Sequence, residues 1–220
     1  MSRRGLNSDD SMADPADPHL IMTAEQLEEL YGPVGEASIQ KEVSFIHPQY
    51  RAMIEASPFA ILATSGPGGL DTSPRGDLPG FVAVQDEKTL LLPERRGNNR
   101  IDSLRNILTD PRVALLFLIP GIGETLRVTG TAGITTAPAL LERFSMEGKL
   151  PRCVLVVSVE TVFFQCARAL HRSKLWQPET WNTGGGVPSP GKILAALSES
   201  RIDGEKYDRE LPGRLLSTLY

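Results

Sequence analysis

The chain has 220 residues, 40% of them apolar and 23% charged, enough to bury a core and ordinary for one globular domain with appended ends. Its net charge of −4 tells against a nucleic-acid binder, whose surface carries a basic surplus. Two cysteines, Cys153 and Cys166, give no disulfide framework, and no apolar run is long enough to span a bilayer.

Residues 1–20, rich in Asp, Ser and Pro, read as a disordered leader without the apolar stretch of a secretory signal, so a cytoplasmic protein is expected. A helical segment is expected over 21–57. Thr23 and Gln26 have capping-box spacing for a helix over Ala24–Tyr31, which Gly32-Pro33 ends. Pro48 suits the first turn of a second helix, Pro48–Ala56, in which Tyr50, Met53 and Ile54 share a face.

The main domain is expected over 58–182. It opens with a buried strand, Pro58–Thr64, and a turn at Ser65–Gly69. Short strands follow at Leu70–Arg75, Gly80–Gln85 and Thr89–Pro93. Ile101, Leu104, Ile107 and Leu108 recur at helical spacing, and Asp110-Pro111 stops that helix. Arg112–Ile119 reads as a continuous apolar strand. Glu124–Thr135 alternates, with Arg127 on the polar side. A helix over Pro138–Glu147 and a strand over Cys153–Phe164 complete the core. Residues 183–220 read as a Gly/Pro-rich linker, a short helix over Gly191–Ser200 and a polar tail. Six or seven strands, mostly too close together for crossover helices, predict an α+β fold built on a small antiparallel barrel.

The chemistry concentrates between Ser73 and Gly130. Glu94-Arg95-Arg96-Gly97-Asn98-Asn99-Arg100 joins a strand to a helix. A cationic, glycine-loosened loop at a helix start suits a phosphate: backbone amides, helix dipole and guanidinium forks all favour an anion there. The bland alternative is a solvated charged turn. No Ser/His/Asp or Cys/His motif is visible, and Cys166, Arg168 and His171 lack the ligand spacing of a metal site. No metal is expected, and no catalytic side chain is assigned.

In order along the chain, Ser73-Pro74-Arg75-Gly76-Asp77, Pro79-Gly80-Phe81, Leu92-Pro93, Gly97-Asn98-Asn99-Arg100, Leu116-Phe117, Leu126-Arg127-Val128 and Arg172-Ser173-Lys174-Leu175-Trp176 resemble the pyridoxamine 5′-phosphate oxidase-like family of FMN-binding split barrels, nearest to one bacterial subgroup. The resemblance covers roughly Ser44 to Pro178. It implies a split β-barrel with flanking helices and a homodimer with FMN between the subunits. It places the phosphate on Arg95, Arg96, Asn98, Asn99 and Arg100. It runs the flavin ring along Arg75, Gly80, Phe81 and Val82, with Pro93 at the end of the strand leading into the loop. Arg75 would stand near the N1–C2=O2 end of the ring. Lys174 and Trp176 would arrive from the partner subunit, and Arg127 and Arg172 would border a small, anionic substrate.

Two departures tell against pyridoxamine phosphate as that substrate. Gly-Asn-Asn-Arg replaces the oxidase's Ser-Arg-Lys loop, and the Trp with a following Arg-x-His near the oxidase C-terminus is not reproduced. The resemblance itself supplies no substrate.

The expected function is therefore an FMN-dependent oxidoreductase, with no nucleic-acid or membrane partner. The alternatives are a flavin-binding storage or sensing protein without turnover, a haem- or deazaflavin-binding relative, and a loop that holds only sulfate or an acidic segment. Three residue readings also stay open on the residues alone. Arg75 could form a surface pair with Asp77, Arg127 a barrel-surface ion pair, and Trp176 the anchor of a tail that covers the core.

Overall fold

A computed structural model describes residues 17–182 and 185–220. The leader expected over 1–20 falls mostly outside them, as do Thr183 and Gly184 of the expected linker. Two compact units divide the chain, Met1–Gln40 and Lys41–Tyr220. In the first, α1 (Ala24–Tyr31) carries the expected capping box: the Gln26 amide donates to the Thr23 hydroxyl at 3.3 Å and the Thr23 amide to Gln26 Oε1 at 3.1 Å. A short helix, α2 (Glu36–Gln40), follows.

The second unit begins with α3 (Pro48–Ala56), which has the bounds that its proline and apolar face predict. Then come β1 (Phe59–Gly66), β2 (Gly69–Gly76), β3 (Ala83–Val84), β4 (Thr89–Pro93), α4 (Asp102–Thr109), β5 (Arg112–Leu118), β6 (Thr125–Thr135), α5 (Pro138–Arg143) and β7 (Val154–Gln165). After them, α6 (Arg168–Ser173), α7 (Pro190–Leu197) and α8 (Gly204–Ser217) lead to the last residues.

All seven strands join one antiparallel sheet in the order β2-β1-β5-β6-β7-β4-β3. Its two ends, β2 and β3, do not pair with each other. Ala60 and Leu62 of β1 nevertheless share one buried cluster with Leu90 and Leu92 of β4 and Leu155 and Val157 of β7. The sheet therefore curls round a common core while staying split at its ends. Period-two burial drives the curl: Ala60, Leu62 and Thr64 point inward from β1, as do Val113, Leu115 and Phe117 from β5. α3 adds Ile54 and α4 adds Ile107 to that core, and Asn106 fixes α4 to β1 by donating to the Thr64 hydroxyl at 3.1 Å.

Several expected elements change. The strand expected over Gly80–Gln85 shrinks to Ala83–Val84, because Gly80 sits at φ +86° and the Phe81 amide closes a turn on Leu78 O at 3.1 Å. The helix expected to run to Glu147 stops at Arg143, and Glu147 and Gly148, both at positive φ, turn the chain back between Met146 and Lys149. The basic run from Arg168 forms α6. The expected polar tail is instead the 14-residue α8, started by Asp203, whose carboxylate accepts from the Lys206 amide at 2.9 Å.

Candidate functional site

The main cleft, about 720 Å³, lies between β2, the loop that leaves β4, the start of α4 and the approach to β7. Two backbone contacts set the loop's course. Beyond Pro93 the chain keeps its pairing, with the Glu94 amide on Cys153 O at 2.9 Å and the Arg152 amide on Glu94 O at 3.4 Å. Glu94 thus carries the pairing one residue past β4, Arg95 is fixed by its side chain, and the free loop starts at Arg96.

Two ion pairs brace the cleft. Arg75 Nη1 donates to Glu94 Oε1 at 2.6 Å, with both side chains only 16% exposed. Arg75 Nε and Glu94 Oε2 are buried with no hydrogen-bond partner among the described residues. Arg95 Nε donates to Asp77 Oδ2 at 2.7 Å and Nη1 to Phe144 O at 2.6 Å. The surface pair Arg75–Asp77 does not form; Arg75 pairs instead with Glu94, and Asp77 with Arg95. Asp77 also accepts from the Leu78 amide at 2.8 Å and the Tyr220 hydroxyl at 2.7 Å. Burial raises the Asp77 carboxyl, but Tyr220, Leu78 and Arg95 outweigh it and leave it below its ordinary range. The same contact pushes the Tyr220 phenol up. The Arg95 guanidinium lies 5.6 Å from the centre of the Tyr220 ring.

Beyond these braces the loop is open. Arg96, Gly97, Asn98, Asn99 and Arg100 are exposed. Asn99 at φ +61° and Ile101 at φ +52° bend the backbone into the left-handed region, with Asn98 Oδ1 accepting the Arg100 amide at 3.1 Å. α4 starts from Ile101 with no side-chain cap, so its first amides keep their donors, while Asp102 places one carboxylate in its first turn. Arg100 is 76% exposed and donates to Asp102 at 2.8 Å, and the buried Ser103 hydroxyl donates to Asp71 at 3.0 Å. Cys153 lines the cleft as a buried thiol. Burial and Glu94 push its pKa up, and Arg75 opposes them.

The cleft brings together Arg75, Phe81, Pro93, Arg95, Arg96, Asn98, Asn99 and Arg100 among the residues singled out in the sequence. Val82 is fully buried in the core, and Gly80 forms the turn before it. Four others stand elsewhere. The Arg127 guanidinium lies over the Phe163 ring at 5.1 Å, and the Trp176 indole donates to Ile122 O at 2.7 Å. Arg172 and Lys174 are exposed at the end of α6. None of the four lines the cleft of its own chain.

Glu94, Ser103, Cys153, Arg152 and Tyr220 were not singled out. Glu94 carried a signal as the one carboxylate adjoining the arginine run. Tyr220 carried none, since it meets Asp77 from 143 residues away. Among the described residues no group of three His, Cys, Asp or Glu could hold a metal, and no helix is long and apolar enough to cross a membrane.

Fold and cleft together define an α+β split barrel with a cationic cleft beside its terminal strand. Residues 46–166, more than half of the chain, match the sequence profile of the pyridoxamine 5′-phosphate oxidase family, and the chain belongs to that family. No curated protein sequence matches it. Among solved structures it is similar to HupZ of Group A Streptococcus, at 24% identity over 55% of this chain and 94% of that one, with a TM-score of 0.45. A Clostridium acetobutylicum protein related to general stress protein 26 of B. subtilis, of the pyridoxinephosphate oxidase family, is 15% identical over 54% and 86%, TM-score 0.42. The general stress protein 26 of Bacillus anthracis is 16% identical over 51% and 88%, TM-score 0.39.

Proposed function

We propose that this protein is an FMN-dependent oxidoreductase that works as a homodimer on a small anionic substrate. The observation that carries the reading is the open loop Arg96–Arg100 running into the uncapped first turn of α4, on the wall of a cleft of about 720 Å³. Free amides, a helix dipole and exposed guanidinium groups converge there, which is the donor set a phosphate monoester needs. Arg75 supports the fit. Its buried Nε has no hydrogen-bond partner among the described residues, and it lines the cleft with Phe81 and Pro93.

When bound, FMN would supply the redox chemistry, taking up a hydride or electrons at its ring. The chain's own residues bind and orient. Arg96, Asn98, Asn99 and Arg100 would hold the phosphate. Arg95, fixed by Asp77 and Phe144, keeps the loop's first residue in place. Arg75 presents a guanidinium that Glu94 already half-neutralises, so its field on a bound ring is weaker than that of a free arginine. Arg127, Arg172, Lys174 and Trp176 would reach a flavin site only from a second subunit. That requirement supports the homodimer.

The first experiment is the absorbance spectrum of the purified protein, with mass spectrometry of any released chromophore. Two flavin bands and a mass matching FMN are the expected result. A Soret band or a deazaflavin mass would replace the cofactor, and a colourless protein that takes up no added FMN would end the flavin reading. Bound FMN that neither NADH nor NADPH reduces, with no substrate-dependent oxygen uptake, would favour storage or sensing.

A further inference from the structure

Beside the main cleft lies a second recess of about 180 Å³, four of whose lining side chains are cationic: Arg95, Arg96, Lys149 and Arg152, with Tyr220 as the aromatic wall. We propose that this recess is a second oxyanion subsite, adjoining the loop and helix start that face a cofactor phosphate and sharing Arg96 with them, and that it takes the phosphate or carboxylate group of the substrate.

The backbone builds the recess. The Glu94–Cys153 and Arg152–Glu94 hydrogen bonds hold the start of the arginine run beside the approach to β7, which brings Arg152 alongside Arg95 and Arg96. The reversal at Glu147-Gly148 returns Lys149 to the same place, where its Nζ donates to the main-chain oxygen of Tyr220 at 3.0 Å. No carboxylate side chain lines the recess. Asp77 is already engaged with Arg95 and Tyr220, and Glu147, which acts on the Tyr220 phenol, stands outside the lining.

The charge there is unbalanced. Arg95 is held by Asp77 and by Phe144 O, and Lys149 by the Tyr220 oxygen, whereas the side chains of Arg96 and Arg152 form no ion pair or hydrogen bond among the described residues. The two guanidinium groups that have no counter-ion, Arg96 and Arg152, repel one another, and a bound oxyanion turns that repulsion into attraction with bidentate bonding to guanidinium forks. Size sets the class. At about 30 Å³ per water the recess has room for roughly six waters, enough for one anionic group and too little for a flavin. Because Arg95, Arg96 and Arg152 also line the main cleft, a group held in the recess stands next to whatever the cleft holds. That the oxyanion belongs to a substrate rests on the flavin reading; that the recess binds an oxyanion does not.

The test is calorimetric titration of the full chain with inorganic phosphate, with and without FMN. It is run on the wild type and on Lys149→Glu and Lys149→Gln, since Lys149 lines the recess and not the main cleft. Phosphate should bind in both states and weaken with added salt. Lys149→Glu should weaken it roughly tenfold or more, and Lys149→Gln less, with FMN retention unchanged as the check on folding. No phosphate binding by the FMN-loaded wild type would overturn the proposal. So would binding that FMN abolishes, which would assign the oxyanion to the cofactor's own cradle, or binding indifferent to both substitutions. If no FMN is taken up while phosphate still binds through Lys149, the flavin reading falls and the recess stands.

Discussion

Partners divide the arginines of this cleft into two kinds. Arg75 and Arg95 are mostly buried and bonded to carboxylates, so they hold the cleft's shape. Arg96 is exposed and unpaired among the described residues, and Arg100, also exposed, holds only the solvent-facing carboxylate of Asp102, a pair that an anion can compete for. Arg100→Ala should therefore leave folding intact and weaken FMN retention roughly ten- to a hundredfold, the worth of one charged hydrogen bond. Equilibrium dialysis of released flavin measures this, and unchanged affinity would remove Arg100 from the phosphate site. Away from the cleft, Arg112 grips the Asp110 carboxylate at 2.6 Å. That guanidinium, with the Arg112 amide, lowers the Asp110 carboxyl from 3.8 to about 2. Its pKa is depressed in the fold, so its contribution to stability is complete above the ordinary carboxylate value and lost as pH falls through about 2. Carboxyl-carbon NMR should show Asp110 titrating near that value; a midpoint at its ordinary value would mean that the pair does not persist in solution.

The longest pairing in the sheet, β6 with β7, depends on one glycine. The register shifts between Thr129 and Gly130, and a Cβ on Gly130 would stand 2.0 Å from the Ser158 carbonyl oxygen. Gly130→Ala should cost about 1–3 kcal/mol, read as a lower urea midpoint at unchanged slope. An unaltered midpoint would show that the bulge opens freely.

Elements marked by local chemistry were legible in the sequence. α1 and α3 have the bounds that a capping box and an N-terminal proline predict, and the arginine loop does lead into a helix. α8 was hidden because its exposed, polar surface has no strong apolar stripe. The strand after Gly80 looked longer than it is because its apolar residues serve a turn and the core rather than a ladder. Most of all, the cleft's bracing was out of reach. Arg75 with Glu94, Arg95 with Asp77 and Asp77 with Tyr220 are tertiary pairings between segments whose local patterns carry no trace of one another.

Across the whole molecule, the family's sequence region supplies the barrel and the arginine-lined cleft proposed to hold a flavin, while Arg127, Arg172, Lys174 and Trp176 lie away from that cleft. Light scattering should therefore give the mass of two chains; a single-chain mass would leave those four residues no route to the flavin. The two cysteines offer a way to see that assembly. Cys153 is 6% exposed with its thiol held protonated, while Cys166 lies open at the end of β7, just before α6. A maleimide spin label should thus attach at Cys166 alone, without any engineered residue. In a symmetric pair the two labels would sit on equivalent segments, and one dipolar distance between them would report how the subunits meet.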